Sequence, residues 1–138
     1  MPAETGGRFR YWRDPLFLSA LALYFLNRAW IKPHLHTYSF FFHGHLNDFL
    51  LVPVALPLFL YVYHRLGLRP DNAPPRGWEI ALHLGVWAFF FEWVGPHVLH
   101  RGIGDPVDVA SYVLGGVLSW LFWQWNVSRV PSLKRVPA

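Results

Sequence analysis

Four long apolar segments dominate the hydrophobic pattern of this chain, at residues 15–31, 48–66, 78–95 and 106–126. Each segment is apolar on all sides rather than along one stripe, which is typical of helices that face lipid. A helix needs about 17–25 residues to cross the hydrocarbon core of a bilayer. The pattern therefore predicts four membrane-spanning helices joined by polar connections.

The composition supports this interpretation. The 138 residues are 54% apolar and 14% charged, whereas soluble domains contain roughly 25% charged residues. A soluble bundle of long buried helices is the alternative, but a chain of this size is too small to bury four such helices. We therefore predict an all-α fold, an integral membrane four-helix bundle that forms one domain over residues 1–138.

The basic residues predict the orientation of the bundle. Nine of the twelve Lys and Arg residues lie in the two terminal regions and the second connection, and the other three are Arg28, Lys32 and Arg101. Cytoplasmic regions of membrane proteins are enriched in Lys and Arg. Both termini are therefore predicted to be cytoplasmic, with the first and third connections on the outer side. The first segment lacks a small-residue cleavage site, so we expect it to be retained as a span.

Capping signals predict where the helices begin and end. The Asp-Pro dipeptides at 14–15 and 105–106 each combine an N-cap side chain with a proline at the first helical position. Asn47 or Asp48 is expected to cap the second helix. Pro33 is expected to end the first helix, because proline disfavours the helical conformation in the residue before it.

Carboxylates gather at the predicted outer ends of the third and fourth segments. Glu92 lies late in the third segment, and Asp105, Asp108 and Tyr112 recur at helical spacing on one face of the fourth. A carboxylate beside hydrocarbon is costly, so such a cluster is a candidate functional site. The alternative is that Asp105 only caps its helix and Asp108 is solvated.

Small residues predict which helix faces meet. Gly85 and Ala88 lie on the face of the third helix that carries Glu92, and the pair at 115–116 shares the face of Asp108. Because small side chains permit close approach of helices, we expect these two faces to pack together.

Polar residues on the first two helices complete the predicted outer cluster. Asn47 and Asp48 lie before the second apolar run, and Arg28 ends the first. Arg28 is a candidate counter-ion for Glu92 or Asp48. The alternative is a carboxylate without such a partner, able to relay a proton or bind a cation.

Four histidines on the same side offer metal ligands. His43 and His45 precede Asp48 within one short turn, and His97 and His100 are three residues apart. Imidazole and carboxylate together suit first-row metals such as zinc, and carboxylates alone suit a hard cation, so a divalent metal is the candidate cofactor. The alternative is that these histidines hydrogen-bond lipid headgroups or the backbone.

Several other classes of function are excluded. The chain has no cysteine, which excludes disulfides and thiolate metal sites. It has no basic and aromatic recognition module for nucleic acid, so its basic flanks are assigned to topology and anionic lipid. It also lacks a phosphate-binding glycine loop and the motifs of hydrolase nucleophiles.

Two stretches resemble a known group of small membrane proteins. FEWVGPH at 91–97 and GDPVDVASYVLGG at 104–116 resemble the VanZ-like proteins, which have a late glutamate in one helix and an acidic start to the next. With HLNDFLLVP at 45–53, the whole chain is similar to uncharacterised bacterial four-helix membrane proteins, some labelled magnesium–citrate secondary transporters. The resemblance implies a multi-pass protein of the bacterial inner (plasma) membrane. It singles out the acidic residues Asp48, Glu92, Asp105 and Asp108.

Three functions remain open from the sequence. The first is an envelope-associated binding or accessory protein whose outer polar cup holds a lipid headgroup or a cation. The second is a small cation- or proton-coupled transporter that works as a homo-oligomer. The third is a metal-dependent hydrolase acting on a lipid phosphate or ester. Membrane lipids are the expected partners, with a homo-oligomer or a larger membrane complex as further possibilities.

Overall fold

The computed structural model describes residues 9–34, 44–69 and 73–129, without the side chains of 127–129. In this part of the chain the structure is helical and contains no strand. A 3-10 turn at Tyr11–Arg13 precedes four long helices in the described residues. Consecutive α and π segments with a continuous backbone are counted as one helix. Helix α1 comprises Pro15–Leu26, Asn27–Ile31 and Lys32–His34; α2 is Leu46–Arg65; α3 comprises Gly77–Ala88, Phe89–Val94 and Gly95–His97; and α4 is Pro106–Arg129.

Side-chain caps begin two of the helices as predicted. The Asp14 carboxylate accepts a hydrogen bond of 2.9 Å from the backbone N–H of Phe17, and Asp105 accepts one of 2.9 Å from that of Val107. The prediction for α2 is wrong, because this helix begins at Leu46 and Asn47 and Asp48 lie inside its first turn. Their side chains are therefore available for contacts with the other helices.

Two π-helical segments let α1 and α3 continue through prolines. The segments Asn27–Ile31 and Phe89–Val94 each end two residues before a proline, Pro33 and Pro96 respectively. A proline cannot donate to the carbonyl four residues earlier, and a π turn widens the helix locally so that the backbone can pass it. The prediction that Pro33 ends α1 is therefore wrong, because Lys32 keeps helical dihedrals.

Helix α4 packs against both α2 and α3, and α1 packs against α2. One glycine decides how closely α4 approaches α2, because a Cβ added at Gly115 would overlap the backbone carbonyl of Phe49. Its neighbour Gly116 faces the side chains of Ile80 and Leu84 on α3. The predicted role of Gly85 in this contact is wrong, since nothing lies within 4 Å of a Cβ added there.

The buried core runs through the middle of the bundle. Its larger part unites α2, α3 and α4 through apolar side chains that include Val52, Leu56, Leu60, Ile80 and Trp123. A smaller part, formed by Ala20, Leu46 and Leu50, joins α1 to the start of α2. These contacts fix the helices at both ends and thereby position the polar groups described below.

Large apolar side chains cover much of the outer surface. On α4 alone, Val113, Leu114, Leu118 and Leu121 are 46–52% exposed, and contiguous apolar surface of this kind marks an interaction with lipid or protein. Two helices, Leu46–Arg65 and Pro106–Asn126, are long and apolar enough to cross a membrane, with mean hydropathy of 1.7 and 1.2. The membrane-spanning role of all four helices and the cytoplasmic location of the termini stay predictions.

Candidate functional site

The candidate site lies where α1 and α3 end and where α2 and α4 begin. His45 precedes α2 and is 4% exposed, and its Nδ1 donates a hydrogen bond of 2.7 Å to Oδ1 of Asp108 on α4. Because a carboxylate only accepts, this contact fixes the hydrogen of His45 on Nδ1. The two residues are 63 positions apart in sequence, so their contact joins α4 to the residue that precedes α2.

A second carboxylate on α4 brings a third ligand atom to this pair. One ligand atom from each of His45, Asp105 and Asp108 lies within 4.8 Å of the other two. Bonds of about 2 Å to a zinc ion place its ligand atoms roughly 3–4 Å apart. Small side-chain rotations would therefore bring one imidazole and two carboxylates around a single divalent ion.

Asp48 and Tyr112 extend the cluster into the bundle. The Asp48 side chain is within hydrogen-bonding reach of Asp108 and of the Tyr112 hydroxyl. Tyr112 is buried at 4% exposure, and its hydroxyl lies close to the Asp48 carboxylate. Two ionised carboxylates this close repel each other, so a proton or a cation between Asp48 and Asp108 would be stabilised.

Glu92 positions Asp105. Its Oε2 accepts a hydrogen bond of 2.6 Å from the backbone N–H of Asp105, which holds the start of α4 against the end of α3. The backbone is tightly packed here, because a Cβ added at Gly104 would lie 2.9 Å from the Glu92 carbonyl oxygen. Asp105 caps α4 and takes part in the cluster at the same time.

Asparagines link the end of α1 to this region. The fully buried Asn27 donates from its side-chain nitrogen to Oδ1 of Asn47 over 3.1 Å. Within the described residues the Asn27 side-chain oxygen has no hydrogen-bond partner. Its neighbour Arg28 is exposed and forms no ion pair with Glu92 in that same part of the chain. The expected pairing of Arg28 with Glu92 or with Asp48 is therefore not formed.

Of the three predicted histidine ligands that the structure describes, only His45 joins the cluster. His97 is exposed, donates from Nδ1 to the Trp93 carbonyl over 3.0 Å and stacks on the Trp93 ring. His100 is exposed in the loop before α4, with a φ of 52°. The expected contribution of these two side chains is therefore not found, and His43 lies outside the described residues.

A polar network at the opposite end of the bundle was missed by the sequence reasoning. Arg69 and Glu79 are each 4% exposed and form a bidentate pair with distances of 2.8 and 3.0 Å. Arg69 also donates to the Tyr11 hydroxyl over 3.0 Å. The available signal was Glu79 at the third position of α3, where its Oε2 accepts from the Arg76 backbone N–H over 2.8 Å as in a capping box.

His83 links α2 to α3 at this end. Its Nδ1 donates to the Glu79 backbone carbonyl within α3 over 2.6 Å. The Tyr63 hydroxyl lies 3.2 Å from the other ring nitrogen. His83 is therefore a structural contact between α2 and α3.

Comparisons with known proteins do not assign this arrangement. No family model, no curated protein and no solved structure matches the chain. The resemblance to VanZ-like proteins stays an expectation from short motifs. The functional interpretation therefore depends on the side-chain geometry at the ends of the helices.

Proposed function

We propose that this protein is a multi-pass membrane protein of the cell envelope that binds a divalent cation at the outer ends of its helices. The observation that carries the proposal is the convergence of His45, Asp105 and Asp108, whose ligand atoms lie within 4.8 Å of one another. One imidazole with carboxylates suits a first-row ion such as Zn²⁺ or Mn²⁺.

The charge of the cup favours a cation over a lipid phosphate. Asp48 lies close enough to Asp108 and to Glu92 for their charges to interact, and the predicted counter-ion Arg28 is exposed and forms no ion pair among the described residues. An anionic headgroup would meet this negative charge directly. A divalent cation would relieve the repulsion among the carboxylates, so it is the ligand that the electrostatics favour.

One contact from outside the proposed ligand set holds a ligand in place. The backbone N–H of Asp105 donates to Glu92, which is not itself a ligand in this proposal. Outer contacts of this type orient ligands and raise affinity. In this proposal His45, Asp105 and Asp108 bind the ion, while Glu92 and Tyr112 position the site.

Proton transfer is a second candidate function for the same residues. The side chains of Asp48, Asp108 and Tyr112 form a chain within hydrogen-bonding reach, and a bond between two carboxyl groups needs a proton. A small transporter that exchanges a proton for a cation would use this arrangement. It would produce pH-dependent cation flux in proteoliposomes, whereas a binding protein would not.

The test is metal titration of the detergent-purified protein, with elemental analysis of the protein as isolated. We expect about one divalent ion per chain and at least roughly tenfold weaker affinity for Asp108→Asn and for Asp105→Asn. Both substitutions keep the side-chain shape, and Asn at 105 still caps α4. The matched control is Asp14→Asn, which removes a carboxylate at the other end of the bundle and should bind like the wild type.

Two results would contradict the proposed metal site. Equal affinities in all four proteins, or a loss that follows only the thermal stability of each variant, would exclude a site at His45, Asp105 and Asp108. If the protein binds no metal and Asp48 and Asp108 release a proton as the pH rises, the result favours proton transfer, the second candidate function.

A further inference from the structure

A cavity lies at the end of the bundle opposite the acidic cluster. It has a volume of about 360 Å³, which is within the range of roughly 300–1,000 Å³ for small-molecule sites. Residues from the 3-10 turn and from the last turns of α2 line it, among them Arg10, Trp12, Arg13, Tyr61, His64 and Arg65.

Among the described residues, no carboxylate forms an ion pair with the arginines of this cavity. Arg10, Arg13 and Arg65 are exposed and form no ion pair among the described residues. The two described carboxylates at this end of the bundle are already engaged. Asp14 is buried and accepts from Trp123 and a backbone N–H, and Glu79 is paired with Arg69.

Hydrogen bonds outside the cavity fix its aromatic wall. The Tyr11 hydroxyl accepts from Arg69, and its ring stacks on His64 with 6.3 Å between the ring centres. His64 in turn donates from Nδ1 to the Arg69 carbonyl over 2.9 Å, which fixes the orientation of its ring. The wall is therefore held in place before any ligand arrives, which lowers the entropy cost of binding.

An exposed tryptophan packed on a half-buried tyrosine places the cavity at an apolar boundary. Trp12 is 52% exposed and packs edge-to-face on Tyr61 with 5.1 Å between the ring centres. Tryptophan and tyrosine at helix ends favour the interface between hydrocarbon and water. The guanidinium groups and the aromatic rings therefore meet where lipid headgroups would lie.

We propose that this cavity binds a phosphate group, carried by an anionic phospholipid or by a soluble phosphate ester. Guanidinium groups bind phosphate oxygens through paired N–H donors, and three of them surround one cavity here. This site is distinct from the acidic cluster, because Arg65 ends α2 and His45 precedes its start. The two proposals can therefore fail independently.

The experiment measures binding of defined probes to the full chain in a neutral detergent. The probes are short-chain phosphatidylglycerol, short-chain phosphatidylcholine, glycerol phosphate and inorganic phosphate. The variant combines Arg10→Gln, Arg13→Gln and Arg65→Gln. The control variant combines Arg28→Gln, Lys32→Gln and Arg101→Gln, which removes the same number of positive charges at the other end.

We expect phosphatidylglycerol to bind the wild type and the control equally and the cavity variant at least about tenfold more weakly, because its phosphate contacts are lost. Parallel weakening for glycerol phosphate identifies the soluble source, and an effect confined to phosphatidylglycerol identifies the lipid headgroup. Equal affinity of all three proteins for every probe overturns the proposal. If the triple variant does not fold, Arg13→Gln alone is used against Arg28→Gln with the same criteria.

Discussion

At the scale of single residues, buried polar side chains join the helices at both ends of the bundle. Asp14 is 4% exposed and accepts from the backbone of Phe17 and, over 3.1 Å, from the indole N–H of Trp123. It therefore caps α1 and ties α1 to α4. Burial raises the pKa of Asp14, although these hydrogen bonds act in the opposite direction.

Asparagine should replace Asp14 at little cost. Asp14→Asn keeps an acceptor for Phe17 and Trp123, and Asn is as good an N-cap as Asp. Asp14→Ala removes the acceptor and should lower the free energy of unfolding by about 1–2 kcal/mol. Denaturant unfolding in detergent compares the two variants, and an equal loss for both would show that the side-chain oxygen is unimportant.

The raised pKa of Asp14 also predicts a pH dependence of stability. The folded state holds this proton more tightly than the unfolded state, so the stabilising effect is complete below the ordinary value of 3.8 and is lost as the pH rises through the higher folded pKa. Wild-type stability relative to Asp14→Asn should therefore fall across that window. A constant difference between the two proteins from pH 3 upward would contradict this account.

Arg69 and Glu79 form a buried ion pair at the same end of the bundle as Asp14. Burial lowers the pKa of Arg69, but the hydrogen bonds and charge of Glu79 outweigh it and hold this pKa above its usual value. The guanidinium therefore stays charged. Removing one partner of such a pair leaves an uncompensated buried charge.

Arg69→Met should therefore be strongly destabilising, by roughly 3–5 kcal/mol. The matched control Arg65→Met changes an exposed side chain on the last turn of α2 and should have little effect. Adding Glu79→Gln to Arg69→Met should recover part of the loss, because no unpaired charge is then buried. The measurement is a double-mutant cycle of thermal or denaturant unfolding, and strictly additive losses would argue against coupling.

At the scale of elements, close backbone approach sets the position of α4. Gly115 lies directly against the Phe49 carbonyl on α2, whereas Gly85 on α3 faces open space. The contact at Gly115 brings the start of α2 next to the start of α4. The pairing of His45 with Asp108 depends on this approach.

Alanine should therefore have opposite effects at the two glycines. Gly115→Ala should destabilise by about 1–3 kcal/mol or more because its Cβ forces the helices apart. Gly85→Ala should stabilise by up to about 1 kcal/mol, since alanine is the better helix former and has room here. Unfolding measurements and metal titration are made on both, and normal cation affinity in Gly115→Ala would separate the site from the helix contact.

At the scale of the whole molecule, the bundle has two polar ends of opposite charge. The acidic cluster lies at the start of α2 and the basic cavity at its end, 20 residues apart. At 1.5 Å per residue this is about 30 Å, the thickness of a bilayer core. This asymmetry includes the same arginines that predict the orientation, so the orientation itself stays a prediction.

Cysteine labelling tests this orientation cleanly, because the chain contains no cysteine. Ile103 is 90% exposed in the connection before α4, and Leu68 is 72% exposed in the connection after α2. In intact cells a membrane-impermeant maleimide should label Ile103→Cys, and it should label Leu68→Cys only after lysis. The reverse pattern would show that the topology is inverted. Labelling of both residues in intact cells would show that no membrane separates them.

The sequence by itself determined most of the helices and the ends at which polar residues gather. Helix bounds depend on local features such as the Asp14 and Asp105 caps and the apolar runs. Successive helices with short connections run in alternating directions, so the order along the chain already separates one polar end from the other. The grouping of Asp105 and Asp108 near Glu92 follows from this order.

The tertiary structure decided which side chains meet. A π turn adds one residue to a turn and rotates the residues after it by about 100° around the helix axis. A regular helical period therefore cannot predict which side of its helix His97 or Arg28 occupies. Proximity across 63 residues, as between His45 and Asp108, depends on how closely the backbones at Gly115 and Phe49 approach. Burial of Arg69 likewise follows from packing around a turn. Local sequence fixes backbone conformation, whereas these contacts depend on helix rotation and spacing.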